Sequence, residues 1–274
     1  MSESAWRDTA PWGITDAVRA RLERVAHEIA REWDLRLGPQ FSMARYSYAA
    51  PAGDDAVLKI APVEDDQADH EAAALALWGG DGAVRLLRHD PERRAMLLER
   101  ARPGTDASRI DEAEALAAAI DVGRRIWRPP SAGHPFRTMR DWVARWMPTD
   151  DAHPLVPVAR RVYAAMAIGE RAVVHGDFHH YNLLRNGDHW VTIDPKPVVG
   201  EPEFDIPPFL WNAMFDSTPT RERTERRIRA FADAGLDGDR IRVWTIVRGI
   251  CDGGLPLRPG EPEPHQLVVV RELL

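Results

Sequence analysis

At 274 residues the chain exceeds one average domain, and it fits either one large domain or two lobes sharing a cleft. Hydrophobic residues make up 44% and ten residues are tryptophan, which excludes a disordered tract and supplies a sizeable core. A net charge of −7 without a dense Lys/Arg cluster argues against nucleic acid, no apolar run approaches the ~20 residues of a membrane span, and the single Cys251 forms no internal disulfide, which fits a reducing cytoplasm.

The N-terminal residues lack a basic segment followed by an apolar one, so no secretory signal is expected there. Within Asp16–Trp33, Val18, Leu22, Val25, Ile29 and Trp33 recur at helical spacing. The period then changes. Tyr46–Tyr48 and Ala56–Ile60 flank Pro51–Asp55, which predicts strand, turn, strand. Gln67–Trp78 is Ala-rich and helical, with Gly79 and Gly80 placed as a C-terminal cap. Short strands at Val84–Leu87 and Ala95–Glu99 follow, and residues 100–104 look like a linker. Beyond it, helices are predicted over Asp111–Trp127, Arg137–Met147, Pro157–Ile168, Asp205–Phe215, Thr220–Ala234 and Asp239–Cys251. A strand-rich island at 172–194 interrupts them, and Gly253–Leu274, with its Pro-Gly and Glu-Pro pairs, reads as less helical. The order is a small α+β lobe, residues 1–99, then a larger helical lobe, residues 100–274, with a hairpin in its middle.

Cation usage is lopsided. The chain has 34 arginines and only two lysines, Lys59 and Lys196. An ammonium is a compact point charge and a guanidinium a wide planar fork, so a retained lysine marks a place where arginine does not serve.

The chemistry concentrates in residues 172–194. Asn186-Gly187-Asp188 is a turn signal between Leu183-Leu184 and Trp190–Ile193. A hairpin folded there brings Asn182 and Asp194 to its open end. An amide oxygen and a carboxylate suit Mg²⁺ in the company of phosphates. Asp177 lies on the loop entering the hairpin, where a carboxylate can face an acceptor hydroxyl. Phosphoryl transfer asks for this division of labour, because it needs charge neutralised and groups positioned.

His175-Gly-Asp-Phe-His-His-Tyr-Asn182, followed by Ile193-Asp-Pro195, resembles the catalytic loop and metal motif of aminoglycoside phosphotransferases. The run Asp194–Asn212 is similar to the streptomycin 6-phosphotransferase and hydroxyurea phosphotransferase subgroup. The resemblance implies a bilobal protein-kinase-like fold of the α+β class, with ATP and Mg²⁺ in the cleft. It implies that Lys59 holds the α- and β-phosphates and that Glu71 pairs with it. It further implies that Glu99 and Ala101 flank the adenine, Asp177 is the catalytic aspartate, and Asn182 and Asp194 are metal ligands. The phosphate-covering loop falls at residues 41–46. It contains no glycine, so contacts there fall to the Ser42 and Ala44 amides.

The implied acceptor is a small cationic molecule, streptomycin-like. Glu201, Glu203, Asp205 and Asp252 are its candidate carboxylates, since carboxylates hold guanidinium groups bidentately. Asp205 also reads as a cap on the helix that follows it, or, as the resemblance implies, as a brace of the catalytic loop; Lys196 reads as a partner of Glu203 or as a cation that neutralises phosphate charge. Three other readings compete: a kinase of an amino sugar, choline-like amine or hydroxyurea; a nucleotide-binding pseudokinase; and a metal hydrolase using His175, Asp177, His179 and His180.

Overall fold

Thr15 opens the first helix by accepting a hydrogen bond from the Val18 amide at 3.3 Å. The computed structural model describes residues 15–44, 46–151, 153–212, 219–255, 260 and 262–274. Helix α1 (Asp16–Glu32) buries Val18, Leu22 and Ile29 against β1 (Tyr48–Ala52) and β2 (Ala56–Ile60). Strand β1 runs through Pro51, which the sequence assigned to the turn. It is an edge strand, where a residue without an N–H is tolerated.

The predicted helix over Gln67–Trp78 divides into a 3₁₀ turn at Asp66–His70 and α2 (Glu71–Trp78), closed by Gly79 at φ 59°. Strands β3 (Leu86–Asp90) and β4 (Ala95–Glu99) complete an antiparallel sheet ordered β1-β2-β4-β3. Strand β3 starts later than predicted because Ala83 and Val84 bond elsewhere, to Thr192.

The expected linker is partly a strand: β5 (Pro103–Asp106) forms an edge. Helix α3 (Glu112–Ile126), β6 (Arg137–Thr138), α4 (Met139–Trp146) and α5 (Val156–Ala164) follow. Next come β7 (Ala172–Val174), β8 (Leu183–Asn186), β9 (His189–Thr192) and β10 (Val198–Gly200). The hairpin folds about Gly187-Asp188 as expected, and its sheet is ordered β5-β8-β9. A second small sheet is ordered β6-β10-β7.

Helices α6 (Ile206–Trp211), α7 (Arg221–Asp233) and α8 (Gly238–Cys251) pack behind. Residues 213–215 of the predicted Asp205–Phe215 helix lie outside the described residues. Among the described residues, no helix is long and apolar enough to cross a membrane.

The chain end departs from expectation: His265–Leu273 is a helix, α9. Its Val-rich composition and the prolines before it weaken the helix signal, but burial of Leu267, Val269 and Val270 overrides propensity. The packing on α8 is close. A Cβ at Gly249 would meet the Val270 Cγ2 at 2.3 Å and the Gln266 carbonyl oxygen at 3.2 Å.

A Gly→Ala change inside an exposed helix gains up to ~1 kcal/mol. At position 249 it should instead cost ~1–3 kcal/mol through overpacking, read as a lowered urea midpoint. Adding Val270→Ala should recover most of the loss. Equal midpoints for the parent and Gly249→Ala would show that the two helices do not meet this closely.

Candidate active site

Strand β2 carries Lys59 into the interior, where its Nζ donates to both Glu71 oxygens at 2.6 and 2.7 Å. Glu71 opens α2 and is 0% exposed, so its charge depends on that lysine. The same Nζ reaches Asp194 Oδ1 at 2.5 Å. Asp194 follows β9 in the left-handed region, at φ 57°, which non-glycine residues seldom adopt. Its side chain stays 47% exposed and open to a ligand. Burial opposes the Lys59 charge, but Asp194 and Glu71 outweigh it and push the pKa up. Burial likewise raises Asp194, yet Lys59 and Lys196 hold its carboxyl below the usual range.

Two hydrogen bonds fix the hairpin against the segment that follows α2. The Thr192 amide donates to the Gly82 carbonyl at 2.8 Å, and the Val84 amide to the Thr192 carbonyl at 3.1 Å.

The loop of residues 175–177 is held from three sides. Asp205 accepts from the His175 amide at 2.8 Å, the Gly176 amide at 2.7 Å and the Trp127 indole at 2.8 Å. Arg248 of α8 donates to the Gly176 carbonyl at 2.9 Å. The His175 ring stacks on Trp78 of α2, with an interplanar angle of 4°. Its Nε2 lies 2.9 Å from the Ile193 carbonyl, while Nδ1 accepts from the Asp177 amide at 3.2 Å, which sets a neutral ring with its proton on Nε2.

Asp177 is thereby presented beside Lys196, whose Nζ donates to Oδ2 at 3.3 Å. Burial would raise the Asp177 carboxyl, but Lys196 and then His179 keep it well below the usual carboxylate range. Asn182 donates through Nδ2 to the Asp177 carbonyl at 2.9 Å, which turns its amide oxygen the other way. The predicted residues therefore fall into two adjacent hydrogen-bonded groups, Glu71–Lys59–Asp194 and Lys196–Asp177–Asn182.

Other expectations are corrected. Asp205 caps no helix through its side chain: it is 0% exposed and gathers the loop amides. Glu203, 4% exposed, accepts from Arg171 at 2.9 Å and from the Asp237 amide at 3.3 Å. Glu201 is enclosed by Arg240, Trp244 and the Gly169 amide. These three carboxylates are committed inside the protein and are out of an acceptor's reach. Lys196 pairs with Asp177, not Glu203.

Asp252 remains of the acceptor candidates, part-exposed and paired with Arg248 at 3.0 Å. Burial pushes its pKa up, Arg248 opposes the shift and nearby Asp177 adds to it.

The Phe41 amide donates to Ala49, which lies across from Lys59, so the turn at residues 41–44 begins one strand from that lysine. The Ala44 amide is not available for phosphate, since it closes this turn on the Phe41 carbonyl at 3.1 Å. Ser42 is exposed on the turn, and Arg45 of the predicted loop lies outside the described residues. Glu99 ends β4, its carboxylate accepting from Arg85 and Asn186, and Ala101 follows before β5.

The metal-hydrolase reading fails on geometry. His175 is occupied at both nitrogens, His180 is buried face to face with Phe209 at 3.7 Å, and no metal-holding group of three or more His, Cys, Asp or Glu occurs among the described residues.

Sequence reasoning missed Arg248, Trp127 and the partner of Lys196. For Lys196 the signal was present, because the scarcity of lysine that marked Lys59 applies equally to it.

A family described as aminoglycoside/hydroxyurea antibiotic resistance kinase matches residues 41–256. The chain is 31% identical over 252 residues to a protein named streptomycin 6-kinase from Streptomyces griseus, covering 84% of this chain and 81% of that one. It is 30% identical over 270 residues to a hydroxyurea phosphotransferase from Kitasatospora aureofaciens, covering 92% and 78% respectively. A solved choline kinase from Streptococcus pneumoniae matches 93% of this chain and 97% of its own, with a TM-score of 0.64 at 10% identity. That likeness is one of fold, the bilobal protein-kinase-like arrangement.

The neutral His175 carries a pH signature. Burial depresses its pKa to about 4, whereas the unfolded chain takes up that proton near pH 6.5. The stability it contributes is therefore complete above pH 6.5 and is lost as pH falls toward 4, by up to ~3 kcal/mol. Urea unfolding at stepped pH should show this slope in the parent and a shallower one in His175→Gln. Identical slopes would mean that the ring titrates in the folded protein as it does in the free chain.

Proposed function

The chain belongs to the family of aminoglycoside/hydroxyurea antibiotic resistance kinases, and from that premise we propose that it transfers the γ-phosphate of ATP to a hydroxyl of a streptomycin-like aminoglycoside. The observation that carries this reading is the chain of alternating charges Glu71–Lys59–Asp194 beside Lys196–Asp177, all on hydrogen-bonding distances. In this proposal residues 1–99 form the nucleotide lobe and residues 100–274 the catalytic and acceptor lobe. Glu99 and Ala101 meet the adenine edge where the chain crosses between them.

Lys59 then holds the α- and β-phosphates, its ammonium kept charged and aimed by Glu71. Asp177 orients the acceptor hydroxyl, whose oxygen attacks the γ-phosphorus while the bond to the β-phosphate oxygen breaks toward ADP. The hydroxyl proton passes to Asp177 late in transfer, as suits a loose transition state. The donor set fits Mg²⁺: the half-exposed Asp194 carboxylate and the Asn182 amide oxygen, whose Nδ2 is engaged by the Asp177 carbonyl, are hard oxygen ligands. Bound there, the ion would neutralise phosphate charge.

On the acceptor side, Asp252, part-exposed beside its Arg248 partner, is the carboxylate that supports a contact with a cationic group near Asp177. A second acceptor class, hydroxyurea, is favoured by the nearly equal identity to the relative named for it.

Asp177→Asn should leave nucleotide binding nearly intact and lower turnover by ~10²-fold or more, as loss of a positioned base does. Turnover within a few-fold of the parent would remove Asp177 from the role. Asp194→Ala should abolish Mg-dependent ATP binding in calorimetry, and Asn182→Ala should weaken it less, because a neutral amide compensates less charge. Product mass after Mg-ATP incubation with streptomycin, kanamycin, choline and hydroxyurea in parallel decides the acceptor. Transfer to another compound and none to streptomycin would overturn the acceptor while leaving the kinase reading intact.

A further inference from the structure

We propose that Lys196 is a second phosphate-gripping catalytic residue, contacting the phosphoryl group as it leaves ADP for the acceptor; this rests on the kinase reading above. The first observation is compositional. The chain's two lysines, against 34 arginines, both end on aspartates of this one site: Lys59 on Asp194 and Lys196 on Asp177. A position that merely neutralises Asp177 has no reason to refuse arginine, which the rest of the chain uses for that purpose. A compact charge that must pass from a carboxylate to a phosphate oxygen within one small volume does have such a reason.

The second observation is how firmly Lys196 is mounted. It stands between Pro195 and Pro197, whose rings fix their own backbone φ. Its amide donates to the His175 carbonyl at 2.8 Å. Its carbonyl oxygen lies where a Cβ on Gly176 would come within 1.9 Å, so the two backbones touch. The ammonium is thus held at a fixed station beside the catalytic loop, while its side chain remains 30% exposed, against 10% for Lys59.

The third is order along the site. With Lys59 at the Asp194 end, the phosphate oxygens nearest Asp177 belong to the group being transferred, and Lys196 is the cation on that side. During transfer the acceptor oxygen–phosphorus bond forms, the bond to the β-phosphate oxygen breaks, and the acceptor proton goes to Asp177. Lys196 remains protonated throughout and exchanges its Asp177 contact for the moving phosphoryl oxygens.

A lysine acting only through Asp177 and one touching phosphate are separated by a double-mutant cycle. Lys196→Met should lower kcat by ~10²-fold or more in the parent, in line with loss of one transition-state contact, with little change in the acceptor KM. In an Asp177→Asn background it should lower residual transfer by a further ~10-fold or more. No further loss in that background would overturn the proposal, leaving Lys196 a partner of Asp177 alone. Lys196→Arg should stay closer to Lys196→Met than to the parent; full activity with arginine would also overturn it.

Should Lys196→Met not fold, the unaltered protein decides through an acyl-phosphate derivative of ATP. With that probe, a lysine beside the terminal phosphate that has given its proton to solvent attacks the acyl carbon, forming an amide as the acyl–phosphate bond breaks and ATP leaves. Peptide mass mapping should find the acyl group on Lys196, with protection by excess ATP; labelling of Lys59 alone would overturn the proposal. Absence of ATP-dependent transfer to every acceptor by the parent would instead bring down the kinase reading on which the proposal stands.

Discussion

Burying an ammonium between two carboxylates is the constraint on which the site depends. Removing such charges from water costs several kcal/mol per ion unless the partners are held in place. Lys59 meets that condition through Glu71 at the head of α2 and Asp194 beyond β9. Strand, helix and hairpin are consequently fixed to one another at a single nitrogen. The contacts of Thr192 with Gly82 and Val84, and of His175 with Trp78, hold the same elements together from the other side.

Around that centre the protein arranges its arginines as fasteners. Arg137 and Arg145, from β6 and α4, pair with Asp66 at 3.3 and 3.0 Å, and Arg137 also reaches Asp69. These aspartates lie in the 3₁₀ turn that leads directly into Glu71. Each such surface pair is worth little alone, but several sharing two aspartates form a network. Arg248 is the buried counterpart, tying α8 to the loop of residues 175–177 and to the Phe204 carbonyl.

What the sequence discloses follows its range of interaction. Asn182 and Asp194 flank one hairpin and Asp177 lies on the loop entering it, so turn chemistry and spacing reveal their convergence, and Lys59 announces itself by rarity. For Asp205 the local reading, a cap for the adjoining helix, fails, and the brace that the resemblance implies holds, because the loop amides it gathers lie about thirty residues upstream. Glu203 and Glu201 are misread for the same reason: exposure cannot be inferred from charge, and arginines from distant segments enclose both. Pro51 and α9 mislead through propensity. An edge position excuses the proline, and burial against α8 stabilises a valine-rich helix that its composition disfavours.

The contact between Gly176 and Lys196 has a genetic consequence. Any single-base change that replaces a glycine codon with another amino acid adds at least a Cβ. At this position that atom would enter the Lys196 carbonyl, in a backbone conformation, φ 81°, that already disfavours side chains. Residue 176 therefore has no tolerated neighbour in sequence space. A gene drifting without selection would lose this loop at its first missense step there, whereas an exposed position such as Asp188 at the hairpin tip can wander freely.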